Sequence, residues 1–211
     1  MVKKQIKETQ RSKNNQVIRP NIYISCEGDA EEAYLKGLKK EYKSIANIKI
    51  NKSRDTDCKG IVRNLKTKFA NEYSKEDLKY CIFDCDENSQ KNLNDAHKMA
   101  KKLNAHIIFS NPCFEIWLLW HFENDLSYQG SREKLKRKIE KLIEENYWQL
   151  KNEPTLYDFV KDKLTSAQTN CEHRKKVLEQ ENIAPYSKKS NPYTNIDDLI
   201  SKLIELKHKA L

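Results

Sequence analysis

Four short apolar segments alternate with amphipathic helical segments over residues 20–122, and this alternation constrains the fold more than any other feature of the sequence. The apolar segments are typical of buried strands and cover 21–26, 45–50, 79–83 and 105–109. Between them, apolar residues recur at helical spacing over 30–43, 59–74 and 89–103. Strands that alternate with helices are joined by right-handed crossovers into a mostly parallel sheet. The sequence therefore predicts an α/β fold, a mostly parallel four-stranded sheet flanked by helices.

The sequence changes in character on both sides of this core. Residues 1–19 lack apolar periodicity and are predicted to form a flexible basic arm. Residues 20–122 are predicted to form the α/β core, which ends in an apolar helix over 113–122, capped by Asn111 with Pro112 at its first position. Residues 123–211 are predicted to be a helical C-terminal elaboration packed on the core.

Positive charge is concentrated in the N-terminal arm. The chain has 40 Lys and Arg residues against 31 Asp and Glu, a formal net charge of +9, and the arm holds six basic residues against one acidic residue. Basic segments bind phosphate backbones because released counterions favour the complex, so nucleic acid is the expected partner. A solvated tail without a specific partner is an equal alternative. The candidate nucleic-acid-binding residues are Lys3, Lys4, Lys7, Arg11, Lys13 and Arg19.

The six cysteines do not form a recognisable metal or redox motif. They are scattered, no C-x-x-C pair occurs, and several lie in apolar segments, where a buried thiol behaves as a small hydrophobe. The sequence has no apolar run of about 20 residues that could cross a bilayer, and it lacks the apolar region of a signal peptide. A reduced, cytoplasmic protein without membrane contact is therefore expected.

Acidic residues stand at the ends of the predicted strands. Glu27 follows the first strand, and Asp84 and Asp86 follow the third. Asn111 and Glu115 follow the fourth. Ligands of open parallel sheets bind outside the carboxyl ends of the strands, so these side chains are expected to approach one another at a single edge.

Carboxylates that meet at one edge require a counterion, because like charges at short range repel one another. A ligand set made only of oxygen atoms suits Mg²⁺ or Mn²⁺, which polarise phosphoryl oxygen and lower the pKa of bound water. Gly28 is expected to let the backbone turn sharply and to leave room for a phosphate. The pattern therefore indicates a metal site for phosphoryl chemistry on nucleic acid.

Several of these residues also have an interpretation that involves no ligand. Asp86 can cap the helix that follows it, and Glu115 in a first helical turn is favoured by the helix dipole. Glu31 can be an ordinary solvent-facing helix residue, and His121 a structural histidine at the end of a buried helix. Three carboxylates at the ends of two apolar strands, however, are hard to explain as surface decoration.

The ordered set of motifs resembles a known family. An apolar strand followed by Glu27-Gly28, a helix and a later strand that ends in Asp84-Cys85-Asp86 resembles the Toprim domain. More closely, the chain resembles the RloB-like proteins, small Toprim-like proteins often found in prokaryotic restriction and defence loci. The shared segments are 27–31 with Tyr34, 84–86, 110–119 with His121 and Phe122, and 191–194.

The resemblance implies a metal-dependent nuclease-like protein that cleaves RNA or DNA in anti-phage defence. It implies that Glu27 acts in acid–base chemistry or as a metal ligand, and that Asp84 and Asp86 hold Mg²⁺ or Mn²⁺. Glu115 would be an auxiliary metal ligand, and a partner protein from a defence locus and self-association are further expectations. The other auxiliary site residues are Gly28, Glu31, Asn111 and His121.

Two other classes of function fit parts of the pattern. A non-catalytic module could bind nucleic acid or a nucleotide at the same site and keep its metal affinity without turnover. An aspartyl-phosphate enzyme fits less well. A haloacid-dehalogenase-like phosphatase needs its Asp-x-Asp after the first strand, whereas Asp84 follows the third. A receiver domain needs a fifth strand that carries a lysine, and the sequence offers none.

Overall fold

The described part of the chain contains a sheet of five strands. The computed structural model describes residues 19–74, 76–85, 88–153 and 155–210. The strands are β1 (Asn21–Cys26), β2 (Asn47–Lys52), β3 (Leu78–Asp84), β4 (His106–Asn111) and β5 (Tyr193–Thr194). Their order is β2-β1-β3-β4-β5, with β1 to β4 parallel and β5 antiparallel to β4. The predicted α/β fold with a mostly parallel sheet is confirmed. The added strand β5 has two residues, too few to carry a periodic signal in sequence.

Helices separate the strands and make up most of the second half of the chain. They are α1 (Asp29–Glu41), α2 (Cys58–Phe69), α3 (Gln90–Lys102), α4 (Glu115–Trp120), α5 (Arg132–Ile143), α6 (Tyr147–Leu150), α7 (Leu156–Val160), α8 (Leu164–Gln180) and α9 (Ile196–Lys209). Polar side chains cap four of them at the N-terminus by accepting hydrogen bonds from backbone N–H groups of the first turn. The capping residues are Asp57 for α2, Ser89 for α3, Ser131 for α5 and Asn146 for α6. Among the described helices, none is long and apolar enough to cross a membrane.

The segment between β4 and α4 differs from the prediction. Asn111 does not cap a helix, since it is the last residue of β4, where it pairs with Tyr193 of β5. Its side-chain amide donates to the carbonyl of Ser187 at 2.9 Å. The helix begins only at Glu115. The cap prediction is therefore wrong, because a distant strand that the local sequence does not reveal extends β4 to this residue.

Alternate residues of β1 pack in two hydrophobic clusters. Ile22 and Ile24 belong to the cluster that includes α1, α4 and α9, and Tyr23 belongs to the cluster of α2 and α3. Burial on both faces explains why these parallel strands are continuously apolar in sequence. Leu135 of α5 and Leu199 of α9 join the cluster of Ile22, so the second half of the chain contributes to the core.

The connections after β1 and β3 run to different clusters of the core. The neighbouring strands β1 and β3 are followed by α1 and α3, which pack in different hydrophobic clusters. The strand order also reverses here, since β2 lies on one side of β1 and β3 lies on the other. Such a topological switch point leaves a crevice outside the carboxyl ends of two adjacent strands. Glu27 and Asp84 stand at those two strand ends.

A buried asparagine protects the edge of β4 where β5 does not reach. The side chain of Asn195 accepts a hydrogen bond from the N–H of Phe109 at 2.8 Å and donates to the carbonyl of Ile107 at 3.0 Å. These are the two kinds of contact that a further strand would make. The C-terminal segment thus closes the sheet edge with one amide side chain.

Replacing Asn195 by alanine is expected to lower the free energy of unfolding by about 2 kcal/mol, because a buried backbone N–H loses its partner. Equilibrium unfolding in urea measures the change. Asn94→Ala, at an exposed position of α3, is the control and should change stability by less than about 0.5 kcal/mol. Equal stability of the two variants would contradict the role given to Asn195.

Candidate functional site

Five acidic residues line one small cavity at the carboxyl edge of the sheet. They are Glu27, Asp29, Glu31, Asp84 and Glu115, and the cavity has a volume of about 50 Å³. They belong to four separate segments: the end of β1, the first turn of α1, the end of β3 and the start of α4. The parallel topology therefore collects carboxylates that are far apart in sequence.

Glu27 and Asp84 are in direct contact. The backbone N–H of Asp84 donates to Oε2 of Glu27 at 3.0 Å. The register of β1 and β3 pairs Cys26 with Ile82, so Glu27, which directly follows β1, lies next to the last residues of β3. The structure thus brings together two of the three principal residues predicted from sequence. The third, Asp86, lies outside the described residues.

Glu31 is buried, and Gly28 makes room for it. Only 3% of Glu31 is exposed, so its interpretation as a solvent-facing helix residue is wrong. A Cβ atom on Gly28 would lie 2.6 Å from Oε2 of Glu31. The backbone of Gly28, with φ −118° and ψ 177°, is extended and open to any residue. Glycine here leaves the space that the Glu31 carboxylate fills, and the backbone does not require it for a sharp turn.

Burial and mutual repulsion change the acidity of this cluster. Burial raises the pKa of Glu31 to about 8, and the negative charges of Glu115 and Glu27 add to the effect. Burial also raises the pKa of Asp84 well above its usual range, with further contributions from Glu31 and Glu27 and an opposing one from Arg132. In the absence of a bound cation, the carboxyl group of Glu31 therefore retains a proton at neutral pH.

Three basic side chains from the second half of the chain line the same cavity. Arg132 donates through Nη2 to Oδ2 of Asp84 at 2.8 Å. Nζ of Lys136 lies 3.7 Å from Oε1 of Glu115, and Lys151 is the third basic residue of the lining. The carboxylates are thus partly neutralised by the protein itself.

Sequence reasoning missed these three cations. Arg132 and Lys136 are four residues apart on α5 and so share one helix face, which was a readable signal. The same helix carries further basic residues, however, and the sequence does not show which of its faces meets the sheet edge. Tyr147 was missed as well, although its hydroxyl donates to Oε1 of Glu115 at 2.9 Å.

Asn111 and His121 do not line the cavity. Asn111 holds the C-terminal segment through its amide, which also donates to Oγ of Ser190 at 3.2 Å. Nδ1 of His121 lies 2.9 Å from the carbonyl oxygen of Trp117, and its ring packs against the indole of that residue. Burial lowers the pKa of His121 to about 4, so its ring is neutral at pH 7.

The basic arm falls almost entirely outside the described residues. Lys3, Lys4, Lys7, Arg11 and Lys13 belong to that part of the chain. Arg19 is described and exposed, and its guanidinium donates to the carbonyl of Lys43 at 2.8 Å.

The described residues contain no ready-made metal site. No group of three or more His, Cys, Asp or Glu side chains among them is arranged to hold a metal ion. Asp84 and Glu115 are instead engaged by Arg132 and Lys136. The donor chemistry still fits a hard divalent cation, since the acidic side chains of the cavity offer only oxygen atoms and their burial is costly without one.

The fold and the cavity define an α/β protein that gathers buried carboxylates and cations at the carboxyl edge of a parallel sheet. The model of the RloB-like protein family matches residues 22–203, so the chain belongs to the RloB-like family. A comparison with curated proteins found no match, and neither did a comparison with solved structures.

In buffer free of divalent cations, Glu31→Gln is expected to stabilise the protein at pH 8 by about 4 kcal/mol and to have little effect at pH 4.5. The pKa of Glu31 in the folded state, about 8, lies above its usual 4.5, so its contribution is full below pH 4.5 and is lost as pH rises through 8. Glutamine imitates the protonated carboxyl group, so the variant does not lose this stability as the pH rises. Thermal unfolding at several pH values measures the difference in stability between the variant and the wild type. Glu32→Gln, in the same helical turn, is the control and should follow the wild type. If the stability of Glu31→Gln changed with pH as that of the wild type does, the prediction would be refuted.

His121 is expected to make the protein less stable as the pH falls. Its pKa is about 4 in the folded state and 6.5 ordinarily, so its contribution is full above pH 6.5 and is lost between 6.5 and 4. Between pH 6.5 and 5 the wild type should lose about 2 kcal/mol more than His121→Asn does. Chemical denaturation at both pH values measures the change in the free energy of unfolding for each protein. His208→Asn, at an exposed position, should behave like the wild type.

Proposed function

We propose that this protein is a metal-dependent phosphodiesterase of the Toprim-like superfamily that cleaves RNA or DNA. The observation that carries the proposal is the convergence of five buried or half-buried acidic residues in one cavity at the switch point of the sheet. Fold stability does not require such a cluster, because buried like charges are unfavourable. Clusters of this kind, with raised pKa values, are typical of functional sites.

The carboxylates would hold one or more divalent cations. Glu27, Asp84 and Glu115 are the proposed ligands among the described residues, and Asp86 completes the Asp-x-Asp pair. Bound there, Mg²⁺ or Mn²⁺ supplies Lewis-acid polarisation of a phosphoryl oxygen. Glu27 is the proposed proton acceptor or donor, because it is half-buried at the mouth of the crevice and is oriented by the N–H of Asp84.

The substrate is proposed to be a nucleic acid because the chain as a whole is basic. A net charge of +9 attracts a polyanion, and the basic arm would guide it towards the acidic edge. For this member of the RloB-like family, we further propose a role in prokaryotic anti-phage defence. It would act in the cytoplasm, with a partner protein or a second copy of the chain.

A non-catalytic binding or sensing module is the second candidate. It is favoured by the ion pairs of Asp84 with Arg132 and of Glu115 with Lys136, which engage two proposed metal ligands. A site in this state could bind a nucleotide or a nucleic acid without cutting it.

Cleavage assays distinguish the two candidates. Purified protein is incubated with plasmid, single-stranded DNA and total tRNA in the presence of Mg²⁺, Mn²⁺ or EDTA. Cleavage of at least one substrate is expected with a divalent cation, and Glu27→Gln and Asp84→Asn should each reduce its rate about 100-fold or more.

The control for this assay is Glu179→Gln, at an exposed position of α8, which should cleave at the wild-type rate. Cleavage that survives both substitutions at the cavity would reject the proposed site. Metal binding without cleavage of any substrate would favour the binding module.

A further inference from the structure

The cations of the cavity are brought there by a part of the chain that contains none of its carboxylates. Arg132 and Lys136 lie on α5, and Lys151 follows α6. Lys136 is 7% exposed, although lysine is rarely buried to this degree. Three cations therefore converge on a cavity of about 50 Å³ together with five carboxyl groups.

Stability alone does not account for this arrangement. Buried ion pairs cost desolvation energy, and their replacement by apolar residues of similar volume is often neutral or stabilising. The side chain of Asp84 is 5% exposed and that of its partner Arg132 is 33% exposed. The guanidinium thus connects a buried carboxylate with the solvent-accessible mouth of the cavity, where a ligand would enter.

We infer that Arg132, Lys136 and Lys151 form an anion subsite that binds a phosphate group of the substrate next to the carboxylates. The inference rests on the proposed function, because it assigns to the same cavity the phosphodiester that would be cleaved. The planar guanidinium of Arg132 matches two phosphate oxygens at once, whereas the two lysines act as point charges.

The subsite is coupled to cation binding by exchange of counterions. Asp84 and Glu115 now neutralise Arg132 and Lys136, and so both basic side chains are engaged. A divalent cation at the carboxylates competes for the same oxygens and makes the guanidinium and the ammonium available to phosphate. Each ligand therefore raises the affinity for the other, and by the same factor, as thermodynamic linkage requires.

Binding of inorganic phosphate to the full chain tests the subsite without any need for turnover. Phosphate is titrated into the protein with Mg²⁺ and again with EDTA, and binding is followed by isothermal titration calorimetry and by the phosphorus NMR line width. We expect Mg²⁺ to strengthen phosphate binding about tenfold, within the usual range of such couplings. Phosphate should strengthen Mg²⁺ binding by the same factor. Acetate, an anion without the tetrahedral oxygens, should bind at least about tenfold more weakly than phosphate.

Two variants and one control assign the effect to the cations. Arg132→Gln and Lys151→Gln should each weaken phosphate binding about tenfold or more, the usual effect of removing a charged hydrogen-bond donor. Lys151 is half-buried and lies after α6, on a different segment from Arg132. Its variant therefore tests the subsite even if Arg132→Gln does not fold. Arg137→Gln removes an exposed positive charge from the same helix and should bind phosphate as the wild type does.

Each result supports or overturns the inference independently of the nuclease proposal. If both Arg132→Gln and Lys151→Gln bound phosphate with wild-type affinity, the proposed subsite would be contradicted. If the phosphate affinity did not change with Mg²⁺, the proposed coupling would be contradicted. Cleavage at the wild-type rate by both variants would contradict the subsite and support the nuclease proposal. Phosphate binding that depends on Arg132, in a protein that cleaves no substrate, would support the subsite and contradict the nuclease proposal.

Discussion

The repulsion between buried like charges is the constraint on which the rest of this structure depends. Glu27, Glu31, Asp84 and Glu115 share one cavity, and burial raises the pKa of Glu31 and of Asp84. Such a cluster persists only where the surrounding core fixes the backbone and where positive charge is supplied. The two hydrophobic clusters on the faces of the sheet fix the backbone. The basic side chains of the second half of the chain supply the positive charge.

The fold was readable from the sequence because strand and helix leave separate local signals. Apolar runs marked β1, β3 and β4, and helical spacing marked the helices between them. The meeting of Glu27 with Asp84 followed from a general rule for parallel sheets, without any knowledge of side-chain contacts. What the sequence could predict of the candidate site is therefore the part that topology alone determines.

The rest depends on tertiary packing that no local pattern encodes. The positions of Arg132 and Lys136 depend on how α5 returns to the sheet, and a helix rich in lysine does not mark its inward face. The local sequence predicts a helix cap at Asn111, because it does not show that β5, about 80 residues further along the chain, pairs with this residue. The space that Gly28 provides became evident only with the position of the Glu31 carboxylate.

The order of charges along the chain has a consequence for synthesis. All five carboxyl groups of the cavity precede residue 116, and its three cations follow residue 131. Because a ribosome releases the chain from its N-terminus, the strands and their acidic ends emerge before any of their internal counterions. A nascent chain that ends before α5 carries the carboxyl groups of the cavity without its cations. The balance of charge in the cavity is reached only when the later helices pack against the sheet.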